Sequence, residues 1–189
     1  MTHRLTLSII LAAFTAAIAG CTGSGDDTAI PRRTAYPRPA TMDTVMTVPD
    51  SLPVSFAVNA SATVSRPRPG WLDVAYPAYG ATMHVTFTPV DTSDIDEVRA
   101  NRVERLTLNR GGRPSVTREA INAAGFDYLT VRTDGAATPL QFLATDGRSI
   151  VVSGAVYMSD PAAASAVDSI QPIVDAIEAD INRSMIQLK

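Results

Sequence analysis

The sequence predicts an α+β domain in which a mainly antiparallel sheet is covered by two helices. Three observations carry this. From Trp71 onward, apolar and polar residues alternate with a period of two, the spacing of strands with one buried face. Two of the later apolar runs, Leu140 to Thr145 and Ser149 to Met158, are separated by Asp146-Gly147-Arg148. So short a link closes an antiparallel hairpin, because parallel neighbours need a crossover of a dozen or more residues. Finally, Ile170, Ile173, Val174, Ile177 and Ile181 recur at i, i+3, i+4, i+7 and i+11, the stripe of an amphipathic helix.

The chain has 189 residues, with 19 acidic against 16 basic side chains and no basic run. That length suits one domain with a tether and is enough to bury a core. The mild acidity argues against nucleic acid as a partner. At the start, Met1-Thr2-His3-Arg4 precedes an apolar run from Leu5 to Ile18 and then Ala19-Gly20-Cys21. Basic, apolar and small-residue regions in that order form a secretory signal. The run is short for a membrane span. Cys21 directly after the small residues resembles the lipobox of bacterial lipoproteins, in which the chain is cut before the cysteine and its thiol is lipidated. Residues 1–20 are therefore expected to be removed, with Cys21 as the lipid attachment site. It is the one cysteine in the sequence, so a disulfide within the chain is impossible.

Residues 21–35 are rich in Gly, Ser, Thr, Asp and Pro, with little to bury, and read as a flexible tether. Asp26 and Asp27 either solvate it or contribute to sorting. The domain is expected over residues 36–189. Tyr36-Pro37-Arg38-Pro39 and Arg66-Pro67-Arg68-Pro69-Gly70 should be extended, as a strap and an exposed loop or as docking strips. Short strands are expected over Met42 to Val48 and Val54 to Val58. Trp71 to Tyr76, a Pro77-Ala78-Tyr79-Gly80 turn and Ala81 to Thr88 form a hairpin. Met83, Val85 and Phe87 lie on its buried face, and Thr82, His84, Thr86 and Thr88 on its wet one.

From Asp91 to Asn109 the period changes to that of a helix. Asp94, Asp96 and Glu97 lie in its first turn, where the helix dipole favours carboxylates, and Gly111-Gly112-Arg113-Pro114 ends it. Ser115 to Asn122 reads as a strand or a short helix, with the strand favoured. Phe126 to Thr133 is a further strand. The terminal helix begins at Ser165 or Asp168 with Pro172 in its first turn, and sets Asp175, Glu178, Asn182 and Arg183 opposite the stripe.

With these segments laid out, the chain resembles the gliding motility lipoprotein GldD family of the Bacteroidota. The resemblance lies in Pro53-Val54-Ser55-Phe56, Gly70-Trp71-Leu72-Asp73-Val74 and Tyr76-Pro77-Ala78-Tyr79-Gly80-Ala81-Thr82-Met83-His84-Val85. It continues in Thr138-Pro139-Leu140-Gln141-Phe142-Leu143-Ala144-Thr145-Asp146, Gly154-Ala155-Val156-Tyr157 and Pro172-Ile173-Val174-Asp175-Ala176-Ile177. It implies a cell-envelope lipoprotein, palmitoylated at Cys21 and held in the outer membrane facing the periplasm. It also implies a role in gliding and in type IX secretion with envelope protein partners, and no known reaction. The sheet with two covering helices is similar to the Mog1/PsbP-like arrangement.

The residues themselves offer no catalytic, metal or cofactor-binding set. Beyond the signal the chain has one histidine, His84, and neither an H-E-x-x-H nor a G-x-S-x-G pattern. Ser153-Gly154 sits inside a strand pattern. As a base, His84 would need an acidic partner across the sheet, and its plainer role is a solvated sheet histidine. Gln141 is expected on the surface, Trp71 in the core or as a partner anchor, and Asp73 on the wet face. Three functions compete: a non-enzymatic lipoprotein docking to an assembly, a lipid-anchored module binding a small molecule, peptide or glycan, and a hydrolase. A flat face with exposed Trp, Tyr or Arg would favour the first, and a closed apolar cavity the second.

Overall fold

The computed structural model describes residues 44–159 and 167–189. Residues 1–43 and 160–166, among them Cys21, the Tyr36-Pro37-Arg38-Pro39 strap, Met42 and Ser165, lie outside the described residues. Seven strands form one antiparallel sheet, numbered with the two strands of a smaller sheet in chain order. They are β3 (Thr63–Ser65), β4 (Trp71–Tyr76), β5 (Ala81–Pro89), β6 (Val116–Ile121), β7 (Asp127–Arg132), β8 (Leu140–Thr145) and β9 (Ile150–Met158), arranged β3-β4-β5-β9-β8-β7-β6. The small sheet pairs β1 (Met46–Thr47) with β2 (Val58–Asn59). Helix α1 covers Ile95–Asn109 and helix α2 covers Val167–Gln187. The predicted α+β class holds, and Ser115 to Asn122 resolves as a strand. Of the strand expected over Met42 to Val48, Met46 and Thr47 pair among the described residues, and of the one expected over Val54 to Val58 only Val58 pairs, continuing into Asn59.

Strand alternation divides the sheet into two faces. On one, Leu72, Val74, Met83, Val85, Phe142, Val152 and Val156 meet Ile170, Val174, Ile177 and Ile181 of α2 in the main core. Phe56 enters from the segment before β2, stacks on Phe142 at 6.0 Å and meets Phe87 edge-on at 5.7 Å. Gly154 stands opposite Phe142 in the β8–β9 register, and the Phe142 ring fills the space a side chain there would need.

The second face is covered only in part. Ile95 and Leu106 of α1 pack on Leu129, Val131, Leu143 and Val151, over β7, β8 and β9. Arg99 to Asp127 at 2.9 Å and Arg102 to Thr88 at 3.2 Å hold α1 down. Burial of β8 on both faces overturns the expectation for Gln141. It points to the α1 side and is 1% exposed, because a helix covers what alternation alone marks as a wet face.

The last helix differs from its sequence reading in two ways. It starts by Val167, so Pro172 lies inside it, past the first turn, with no N–H to give to the carbonyl of Asp168. Its polar side is not simply solvated. Glu178 is buried against Arg132 at 2.6 Å and against Arg118, and Arg132 also reaches Asp175 at 2.7 Å and Asp134 at 3.1 Å. Two other segments hold the end of the helix and the residues after it. Asn122 Nδ2 donates to the carbonyls of Met185 and Leu188 at 2.8 Å, satisfying acceptors that a helix C-terminus leaves over. Ser55 and Lys189 exchange main-chain bonds.

Candidate functional site

The open half of the second face lies on β4, β5 and part of β9. The hairpin that carries it closes through Pro77–Tyr79, with Gly80 at φ 57° in the left-handed region, and this turn pairs Tyr76 with Ala81. The same register brings Asp73 opposite His84, and His84 opposite Ala155 on β9. His84 Nδ1 and Asp73 Oδ1 are 2.6 Å apart, so a protonated Nδ1 donates to the carboxylate and fixes the ring. Tyr157, 44% exposed, packs edge-on against the His84 ring at 5.4 Å. Two register positions further along, Thr86 and Ser153 hydroxyls bond at 2.8 Å. At the start of β4 the Arg68 guanidinium lies 3.5 Å over the Trp71 ring.

The sequence-predicted candidates thus fall into place unevenly. His84 has the acidic partner across the sheet that sequence alone did not reveal, and Asp73 is that partner. Ser153 bonds to Thr86, whereas the register partner of His84 is Ala155, which carries no nucleophile. Trp71 is half-buried, capped by Arg68 on the second face. Gln141 accepts from Asn109 Nδ2 at 2.9 Å beneath α1, and its own amide nitrogen is buried without a partner. Among the described residues, no three His, Cys, Asp or Glu side chains gather as metal ligands. Chemically, the face offers a fixed imidazole, a phenol, two hydroxyls and a stacked Arg–Trp pair on rigid strands. These groups suit recognition by hydrogen bonds and aromatic contact.

Sequence reasoning missed a second polar constellation, at Asp180. This side chain is fully buried, accepts from Asn59 Nδ2 at 3.1 Å and from Arg183, and leaves Oδ2 unpartnered. Burial pushes its carboxyl pKa up, against the pull of Asn59 and Arg183. Burial, then the Asp180 charge, raises the Tyr76 phenol as well. The signal was available: Ile173, Ile177, Asp180 and Ser184 are spaced i, i+4, i+7 and i+11, so Asp180 lies in the apolar stripe. Beside the end of α2, a groove of about 310 Å³ is lined by Val48, Ala57, Ala124, Ile186 and Leu188, among others.

A family model described as gliding motility lipoprotein GldD matches residues 26–189. No curated protein matches the chain.

Proposed function

The chain belongs to the gliding motility lipoprotein GldD family, and from that premise we propose that it is a non-enzymatic accessory component of gliding and type IX protein secretion. In this reading Cys21 carries the acyl chains that hold it to the outer membrane, facing the periplasm. Residues 21–35 give the domain reach, and residues 36–189 dock to envelope proteins. The family match begins after Cys21, so lipidation at that residue rests on the Ile18-Ala19-Gly20-Cys21 sequence itself. Several acyl chains contribute far more than one, since each buried methylene adds about 0.8 kcal/mol.

The single observation that carries docking is the uncovered half of the second face. It is open and rigid, and it presents Arg68 over Trp71 beside Asp73, His84 and Tyr157. Aromatic residues and arginine are the side chains that dominate protein interfaces. A second reading, binding of a small molecule, peptide or glycan, has the groove beside the end of α2 in its favour.

Complementation of a deletion strain at matched expression tests the proposal, with secreted protein and colony spreading as readouts. Cys21→Ala is expected to leave a folded but unanchored domain with strongly reduced function, because local concentration at the membrane is lost. Trp71→Ala is expected to impair function while the protein stays folded. Ser153→Ala, whose hydroxyl is already bonded to Thr86, is expected to complement. Full complementation by a folded Trp71→Ala protein would end the docking proposal.

A further inference from the structure

The two edges of the seven-stranded sheet are built differently. At one, β3 is three residues long and is followed by Pro67 and Pro69. Short strands and prolines keep an edge from pairing with other chains. At the other, β6 runs for six residues without proline and is exposed along its whole length. Val116 and Ile121, at its two ends, are 56% and 72% exposed.

The hydrogen-bond ladder determines which main-chain groups are left over. The Asn122 N–H donates to the Phe126 carbonyl at 3.0 Å, one step beyond the β6–β7 register that pairs Ile121 with Asp127. Inward bonding alternates along an antiparallel pair. Val116, Arg118 and Ala120 therefore bond to β7, while Thr117, Glu119 and Ile121 turn their N–H and C=O groups outward.

We propose that β6 accepts an extended segment of a partner protein as an eighth, antiparallel strand of the sheet. Main-chain groups would hold it, as in other strand additions, and side chains would select it. Arg118 pairs with Glu178 through one guanidinium nitrogen and is otherwise 60% exposed, which leaves donors for an acidic residue opposite. Glu119 calls for a basic residue, and Val116 and Ile121 for apolar residues at the two ends. Read from its N-terminus, the segment is apolar, any, basic, acidic, polar, apolar. A second copy of this chain fits poorly. Two antiparallel copies related by a two-fold axis share faces, so only residues of like parity meet. The two registers that pair most of the strand set Arg118 against Arg118 or Glu119 against Glu119, and like charges directly opposite are destabilising. The occupant is a different chain. This deepens the docking reading of function and rests on it for the biological partner, whereas strand addition itself is tested separately.

The probe is the capped peptide Ile-Thr-Lys-Asp-Thr-Val, titrated into the full chain in detergent and followed by amide hydrogen exchange. The expected result is slowed exchange at Thr117, Glu119 and Ile121, with Arg118 and Ala120 unchanged. Glu119→Lys should weaken binding about tenfold, and a peptide with Glu in place of its Lys should restore it. Glu119→Pro removes an outward donor while sparing the β7 ladder, and should abolish the protection. Absence of protection at saturating peptide, protection elsewhere, or indifference to the charge swap would overturn the proposal. So would concentration-dependent dimerisation of the chain that protects the same three amides. Peptide binding alongside full complementation by Glu119→Pro would leave strand addition standing and remove its tie to function. No binding alongside a functional requirement for Trp71 would remove strand addition alone.

Discussion

Substituting Gly154 by Ala tests how the main core is assembled. Gly154 sits mid-strand, where alanine is intrinsically better than glycine by roughly 0.5–1 kcal/mol. On propensity alone Gly154→Ala should stabilise. The packing says the opposite. A Cβ at this position would lie 2.4 Å from Phe142 Cζ, 2.5 Å from Cε1 and 3.1 Å from the His84 carbonyl oxygen. An exposed ring would swing away, but Phe142 is fully buried and stacked on Phe56, which in turn abuts Phe87. Overpacking of this kind costs about 1–3 kcal/mol, so a net loss of about 1–2 kcal/mol is expected. Urea unfolding followed by the fluorescence of Trp71, the one tryptophan of the chain, measures it. The partner variant Phe142→Leu leaves a cavity and destabilises by itself. In the double variant the new methyl group enters space the ring has vacated, so the two costs should fall short of additivity by about 1 kcal/mol. Stability of Gly154→Ala equal to or above the parent, or simple additivity, would refute the argument.

Two further predictions concern the second helix and the β8–β9 turn. Ile177 is fully buried beneath α2, and Ile177→Asp would place an unpaired carboxylate there. Several kcal/mol of burial cost against a total stability of about 5–15 kcal/mol should abolish the cooperative unfolding transition. Asp146 is partly buried, which works to raise its pKa. Bonds from the Ser149 hydroxyl and from the N–H groups of Ser149, Arg148 and Ile150 outweigh this and hold it down at about 2, against an ordinary 3.8. A depressed carboxyl stabilises above its unfolded pKa, and that contribution is lost as pH falls from about 4 towards 2. Asp146→Asn, which keeps an acceptor but cannot ionise, should be less stable than the parent at pH 7 by about 1 kcal/mol after solvent screening. Its deficit should shrink towards pH 2 in parallel denaturation curves.

Much of the fold was legible because a one-dimensional period reports one apolar face. Met83, Val85 and Phe87 on β5 and the Ile173–Ile177–Ile181 stripe on α2 found their places for that reason. Whether a second element covers the other face is a tertiary fact, and there the sequence reading of Gln141 failed. A clue was present in Leu140-Gln141-Phe142-Leu143-Ala144, where apolar residues occupy both parities, as in strands buried on both sides. Asp180 was missed because an acidic side chain suggests a solvated position, and Asn59, the partner that makes its burial tolerable, lies 121 residues away. The Asp73–His84 pair was closer to hand. Once the turn joins Tyr76 to Ala81, counting back three residues and forward three pairs the two, although their contact depends on rotamers that the sequence does not specify.

The two proposed recognition surfaces lie on the same sheet but not within reach of each other. In the order β4-β5-β9-β8-β7-β6, Trp71 on β4 is five strand spacings from β6, about 24 Å at roughly 4.8 Å per step. Helix α1 packs over β7, β8 and the Val151 end of β9, between Trp71 and β6. A single short peptide cannot occupy both, and neither surface shares side chains with the other. Substitutions more than about 10 Å apart with no common partners act independently. Trp71→Ala should therefore leave capture of the extended peptide at β6 unchanged, and Glu119→Pro should leave the environment of Trp71 unchanged. In complementation, the double variant should lose the product of the two single losses if separate partners occupy the two surfaces. It should lose no more than the worse single variant if both serve one obligatory binding event. Coupling between Trp71 and β6 in peptide affinity would mean that the sheet transmits strain across α1, and the two surfaces would have to be treated as one site.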